Sequence, residues 1–148
     1  MSVRRYSVAG PFDLGRTLAP LGRGTGDRTF RFDAGRILRA TRTPDGPASM
    51  AISLSADGIV VEAFGPGADH ALAAVPALVG LLEEPEPILA GHPTIAQLVR
   101  RFPGVRIPRS GAVLESLVPA ILEQKVIGEE ARREIGRASC RERVCQYV

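Results

Sequence analysis

The sequence predicts an α+β fold, with an N-terminal antiparallel sheet and a covering helix followed by the first part of an all-α domain. Residues 1–66 consist of short segments with alternating or β-branched character, separated by Gly, Pro and Asp turns. From residue 67 onward, apolar residues recur at helical spacing instead. We therefore predict one domain over residues 1–66 and a second over residues 67–134.

Five segments of the first domain have strand character: RRYSVAG, RTFRFDA, RILRATRT, ASMAISLS and IVVEAFG. The turns between them are short, such as Asp33-Ala34-Gly35 and Asp57-Gly58, and consecutive strands joined in this way favour an antiparallel meander. The segment FDLGRTLAPL carries Asp13 at a helix-capping position, so it predicts a helix that covers one face of the sheet.

Helices are predicted over residues 68–82 and 93–102, with the acidic, Pro-broken residues 83–87 as their connector. Residues 114–134 read as a further amphipathic helical segment, in which Pro119 is expected to cause a kink or to mark the true start. An apolar stripe at the i, i+3, i+4, i+7 and i+8 positions requires burial. It consists of Leu114, Leu117, Val118, Ile121 and Leu122.

Four side chains are candidates for binding. Gln124 and Lys125 directly follow the stripe, where a helix end can present an amide and an ammonium to a partner. We favour a functional role for Gln124 over a helix-surface amide without a partner. Arg106 and Arg109 lie in a loop punctuated by Pro and Gly just before the helix, where arginines can hold phosphate, although solvated loop charge is an equal alternative.

Other conspicuous residues have simpler explanations. The glycine-rich residues 22–26 follow a helix and precede a strand, which is the wrong context for a nucleotide loop and indicates a connector. His70 and His92 have no carboxylate or cysteine at ligand spacing, so a surface or capping role is expected. The six aspartates all lie in turn-like contexts before Gln124. No metal site and no cofactor are expected.

Residues 135–148 abandon the apolar periodicity and introduce both cysteines, Cys140 and Cys145. EIGRASCRERV looks like a sequencing adapter translated in frame, so we treat these residues as a non-native tail.

The chain has 19 basic and 16 acidic residues. Three arginines and one glutamate belong to the tail, which leaves 16 against 15, so the basic isoelectric point does not indicate nucleic-acid binding. With no signal peptide and no apolar run long enough to span a bilayer, a cytoplasmic protein without membrane contact is expected.

The pattern AILEQKV, with its PGVRIPRSG lead-in, resembles the helix-hairpin-helix superfamily of DNA glycosylases, nearest its 3-methyladenine DNA glycosylase II branch. The resemblance covers residues 1–134. It implies a base-excision-repair enzyme that hydrolyses the N-glycosidic bond of alkylated purines and acts as a monomer on double-stranded DNA. It also implies that Gln124 and Lys125 probe the DNA where the base is flipped out. The family often has an apolar or amide wedge where this chain has Lys125.

The Gly-rich hairpin and the catalytic Asp of that family follow the Gln helix, and neither is present in this sequence. We therefore expect an N-terminal fragment with a truncated helical domain, an exposed apolar stripe and no catalytic residue of its own. The alternative is a non-enzymatic α+β binding or regulatory module whose helices resemble the glycosylase only in their patterning. A longer reading frame with a Gly-rich hairpin followed by an Asp would separate the two.

Overall fold

The computed structural model describes residues 1–24, 26–82, 92–124, 128, 130 and 131. The strands are β1 (Ser2–Tyr6), β2 (Phe30–Asp33), β3 (Arg36–Thr43), β4 (Gly46–Ser55) and β5 (Gly58–Phe64). The helices are α1 (Leu14–Leu18), α2 (Ala68–Leu78), α3 (Pro93–Arg101) and α4 (Val113–Leu122), and a short 3-10 helix (Ala19–Leu21) follows α1. The predicted α+β class with an antiparallel sheet is confirmed.

The five strands form one antiparallel sheet in the order β1-β5-β4-β3-β2. Strands β2 to β5 are the predicted meander, joined by two-residue turns. Ala34 and Gly35 both have positive φ, 45° and 80°, which matches the right-handed twist of a hairpin. Strand β1 instead pairs with β5, with Ser2 opposite Ala63 and Tyr6 opposite Ile59.

Gly58, at the start of β5, shows why one turn needs glycine. Its φ is +122°, and a Cβ atom there would lie 2.3 Å from the carbonyl oxygen of Tyr6. Such a distance is far inside van der Waals contact, and a side chain at this φ would be strained. The glycine therefore lets β1 pass close to the β4–β5 turn.

The core lies between one face of the sheet and the helices. Ile52, Ile59 and Val61 on the sheet and Leu72 and Val75 on α2 are at most 1% exposed. Helix α1 adds Leu14, Thr17 and Leu18, so the predicted covering helix is confirmed, but α2 contributes more of the cover. Although α2 follows residue 66, it shares this core with the sheet. The domain boundary stays a prediction.

Helix α2 ends earlier than residue 82, the predicted end. The N–H of Gly80 bonds to the carbonyl of Ala77 and that of Leu81 to the carbonyl of Pro76, with Gly80 at φ +69°. This pair of bonds is a Schellman motif, which satisfies the last carbonyls and turns the chain away.

Residues 83–91, which include the predicted connector, lie outside the described residues. The next helix, α3, begins directly after His92, and the ring of His92 accepts the N–H of Thr94 at 3.2 Å. The capping role foreseen for His92 is confirmed.

Candidate nucleic-acid interface

Helix α4, which precedes Gln124, begins in a polar turn. The Ser110 hydroxyl accepts the N–H of Ala112 at 3.3 Å and lies 3.4 Å from the hydroxyl of Ser116. Gly111 has a positive φ of 66°, which glycine adopts without strain. These contacts set the direction in which α4 leaves the loop.

A carboxylate in the first turn of α4 joins the helix to the sheet. The carboxylate of Glu115 accepts hydrogen bonds from the Arg39 guanidinium at 3.0 Å, the Thr41 hydroxyl at 2.6 Å and the Arg42 backbone N–H at 3.3 Å. Arg39 is only 8% exposed, so its charge depends on this partner. The arrangement fixes one end of α4 against β3 and leaves the other end to carry Gln124.

The apolar stripe of α4 faces solvent within the described part of the chain. Leu114 is 73% exposed, and Leu117, Val118, Ile121 and Leu122 are 48 to 54% exposed. The helix touches the sheet through Glu115, and none of the described elements covers the stripe. The predicted exposure of this stripe is therefore observed in the described part of the chain, and the burial that the pattern requires is not.

The prediction of continuous helix through Gln124 is wrong. Helix α4 ends at Leu122, and the N–H of Gln124 bonds to Ile121 at 3.2 Å, three residues back, in a tightened last turn. Pro119 lies inside α4 and neither starts nor ends it. Its carbonyl accepts the N–H of Glu123 at 2.8 Å, so the ladder continues beyond the proline.

Gln124 is exposed, and its side chain makes no hydrogen bond to any other described residue. An amide in this position can reach an external partner. Lys125 lies outside the described residues, so its place beside Gln124 rests on the sequence alone. The role of both residues in DNA binding stays a prediction.

Arg106 makes several contacts with the N-terminal segment, with α1 and with the turn after α2. Its guanidinium donates to the carbonyls of Ala9 at 3.2 Å and Gly80 at 3.5 Å and lies 5.7 Å from the centre of the Phe12 ring. Its backbone N–H donates to Thr17 at 3.1 Å, while its Nε is buried without a partner among the described atoms. These contacts tether the loop before α4 to the N-terminal segment, which a solvated loop charge would not do.

Two glycines allow that tether. A Cβ atom on Gly80 would lie 2.8 Å from the Cβ of Arg106, and one on Gly104 would lie 2.6 Å from the Phe12 nitrogen. Both distances are shorter than real Cβ contacts. The loop therefore docks closely, and the carbonyl of Gly104 accepts the N–H of Asp13 at 2.9 Å.

Arg109 is exposed in the same loop and its backbone N–H bonds to the Ala77 carbonyl at 3.1 Å. Arg106 and Arg109 thus both lie in the loop that precedes α4. Gln124 lies beyond its other end, and a helix of ten residues is about 15 Å long. The described candidates therefore form two groups at opposite ends of one helix.

Sequence reasoning missed the aromatic-arginine cluster beside the loop. The guanidinium carbons of Arg16 and Arg101 lie 5.1 and 5.5 Å from the centre of the Phe102 ring, within cation–π range. Arg16 also pairs with Asp13 at 2.5 Å. The backbone N–H of Arg16 and then its side chain lower the pKa of the Asp13 carboxyl. No short motif marks this cluster, because its members come from distant segments.

Metal-binding clusters and membrane-spanning helices are both absent from the described residues. No group of three His, Cys, Asp or Glu side chains there could hold a metal ion. His70 contacts a single carboxylate, that of Asp45, at 3.5 Å. No helix in the described part of the chain is long and apolar enough to cross a membrane.

Comparison with solved structures identifies the fold. The chain shares it with a 3-methyladenine DNA glycosylase from Archaeoglobus fulgidus. The two superpose with a TM-score of 0.64 at 16% sequence identity. The match covers 89% of this chain and 47% of the glycosylase, so the chain spans about half the length of that enzyme. No protein-family profile matches the sequence, and neither does any curated protein.

Proposed function

We propose that this chain is the N-terminal part of a helix-hairpin-helix DNA glycosylase that removes alkylated purines from double-stranded DNA. The shared fold with a 3-methyladenine DNA glycosylase is the observation that carries the proposal. The resemblance of AILEQKV to that family's pattern also supports the proposal, since it implies that Gln124 probes the flipped nucleotide. Hydrolysis of the N-glycosidic bond would use a catalytic Asp from a segment that follows residue 134 in the parent.

In this proposal Gln124 and Lys125 contact the duplex at the gap left by the extruded base. Extrusion costs a few kcal/mol of unstacking, which contacts at the gap have to offset. Gln124 is exposed in the turn that follows α4, and the first turn of that helix is joined to the sheet by Glu115. Lys125 adds a cation that can reach a phosphate or the edge of the orphaned base.

Arg106 and Arg109 supply the backbone contacts of the same proposal. Phosphate contacts set the register of a protein on DNA without reading sequence. Arg109 is exposed and suits this role. The guanidinium of Arg106 already donates to the carbonyls of Ala9 and Gly80. In this proposal its remaining N–H groups would contact the phosphate.

The proposal is tested by sequencing the gene and by assaying the protein that it encodes. The reading frame is sequenced across the codon for Glu134, and the longer protein is assayed for single-turnover release of 3-methyladenine from alkylated duplex DNA. We expect the longer frame to encode a Gly-rich hairpin followed by an Asp, and the longer protein to release the base. We expect the 148-residue chain to leave the DNA intact. A natural frame that continues into IGRASC, or base release by the 148-residue chain, would contradict the fragment proposal.

A further inference from the structure

The sheet face opposite the helices carries an open groove of about 390 Å³. Strand β4 lies beneath it and presents small side chains there, Ser49 and Ala51, while its alternate residues enter the core. Leu38 lies opposite Ala51 on β3, and Phe64 lies opposite Ser49 on β5. Small residues between larger ones create the trough, and Phe64 is 42% exposed at its border.

The charged residues that line this groove are all arginines, and the carboxylate of Glu62, opposite Ala51 on β5, lies beside it on the same face. Arg28 and Arg31 line it and are exposed, and no Asp or Glu is among the lining residues. Neither arginine has a carboxylate within ion-pair distance in the described part of the chain. Arg39 also borders the groove, but it lies opposite the core residue Met50 and its guanidinium pairs with Glu115 of α4 on the helix-covered face. The groove thus combines an apolar floor with two unneutralised cations at one end.

We propose that this groove binds an acidic peptide segment that carries a bulky apolar side chain. The apolar side chain would fill the trough between Leu38 and Phe64, and carboxylates would pair with Arg28 and Arg31. This binding surface does not depend on the glycosylase proposal. Its residues lie on the sheet or just before β2, and not on α4 or the loop before α4.

Two features favour a peptide over a single-stranded nucleic acid. Binding of single strands relies on successive aromatic side chains that stack on successive bases, and Phe64 is the one aromatic residue among the groove's described lining. In addition, the two arginines lie at or beside β2, an edge strand of the sheet. Its outer backbone groups can pair with an extended peptide, as in strand addition.

The test uses the 148-residue chain and a fluorescein-labelled peptide in which several glutamates flank one phenylalanine. Fluorescence anisotropy should show saturable binding. Replacing the peptide's phenylalanine by serine should weaken it, because the trough loses its occupant. The double variant Arg28→Glu/Arg31→Glu should weaken binding about tenfold, as expected when two exposed ion pairs become repulsive.

The matched control is Arg5→Glu/Arg100→Glu, which changes the net charge equally. Arg5 lies on β1 at the opposite edge of the sheet, and Arg100 lies on α3, so binding should be retained. Ser49→Tyr fills the trough without altering charge and should abolish binding. Circular dichroism and thermal melting check that each variant is folded.

Three results would overturn the proposal. The first is an absence of saturable binding to the wild-type chain. The second is equal weakening by the groove and control variants, which would mean attraction by net charge alone. The third is unchanged binding in folded Ser49→Tyr. A fourth result would assign the groove to a nucleic acid and so overturn the proposal as well. In it, a labelled single-stranded oligonucleotide binds the groove, and other oligonucleotides displace it but the peptide does not.

Discussion

Asp13 ties two separate parts of the chain together. Its carboxylate accepts the backbone N–H of Arg16 at 2.8 Å and caps α1, and its own N–H donates to Gly104 in the loop before α4. The bonds from Arg16 favour the ionised carboxylate and so lower the pKa of Asp13. A single residue thus sets the start of a helix and the position of a loop 91 residues later in the chain.

Replacement of Asp13 should show how much its cap of α1 contributes to the free energy of unfolding. Asp13→Ala should lower the free energy of unfolding by about 1 kcal/mol, the usual effect of losing an N-cap. Because the folded pKa is lower than the unfolded one, the charge-dependent part of this stabilisation is present above the ordinary aspartate pKa. It is lost as pH falls through the lower folded value. Urea unfolding at about pH 7 and about pH 3 measures both effects.

Asp13→Asn is the control for this prediction, because it keeps an oxygen that can cap the helix and removes the titrating charge. It should retain most of the stability at neutral pH and lose the acid-dependent part. If Asp13→Ala and the wild-type chain unfold at the same urea concentration at both pH values, the cap contributes nothing measurable.

Gln124 and Lys125 can be tested in the longer protein that we propose as the parent. Gln124→Ala and Lys125→Ala should slow single-turnover excision more than substitutions on the sheet. Lys125→Ala should also lower the salt dependence of DNA binding by about one unit of slope if the ammonium contacts a phosphate. Lys125→Leu separates the roles, since a wedge would retain or improve excision whereas a phosphate contact would be lost. Unchanged binding, slope and excision in all three variants would make this helix end purely structural.

Helix α4 is held by polar contacts and not by its apolar face. Glu115 receives three hydrogen bonds from β3, while the stripe around Leu117 remains exposed. This is the reverse of most surface helices, in which apolar burial supplies the stability. The position of α4 should therefore respond strongly to one ion pair.

Glu115→Ala should loosen α4. The change removes the partner of the nearly buried Arg39, so we expect a loss of about 2 kcal/mol in the free energy of unfolding and faster amide exchange along α4. Glu123→Ala, just after the same helix, is the control because Glu123 makes no side-chain hydrogen bond to a described residue. Arg39→Met should restore part of the stability of Glu115→Ala, since it removes the uncompensated charge. Equal exchange in the Glu115→Ala and Glu123→Ala chains would show that the network does not hold the helix.

The described part of the molecule divides into a well-buried layer, formed by the sheet, α1 and α2, and the more exposed helices α3 and α4. The fully buried residues lie on the sheet, α1, α2 and the residues just after α2, and neither α3 nor α4 has a buried side chain. Local stability follows the number of buried apolar contacts. Different parts of the chain should therefore open with different free energies.

Hydrogen exchange measures this difference directly. Amides of β3, β4 and β5 should be the most protected, and those of α4 should exchange faster because its apolar stripe lacks a cover. In the longer protein proposed as the parent, additional helices that cover the stripe should slow exchange in α4 far more than in β4. Equal or stronger protection of α4 than of the strands in the 148-residue chain would contradict the expectation that packing partners lie elsewhere.

The local part of this fold was predictable from the sequence. Alternation and turn residues such as Asp57-Gly58 place the strands, and Asp13 marks the start of α1. The non-local part was not predictable. No pattern pairs Glu115 with Arg39, 76 residues earlier, and none assigns β1 to the outer edge of β5. The end of α4 was also missed, because no glycine or proline marks it.

The pairing of β1 with β5 imposes an order on folding during synthesis. Ser2 meets Ala63 about 60 residues later, so at 5–20 residues per second β1 waits roughly 3 to 12 seconds for its partner. The hairpins of β2 to β5 need only microseconds each once they are made. An unpaired strand that waits this long invites association with other nascent chains. The adjacent charges of Arg4 and Arg5, exposed in the finished sheet, oppose such association while β1 is still alone.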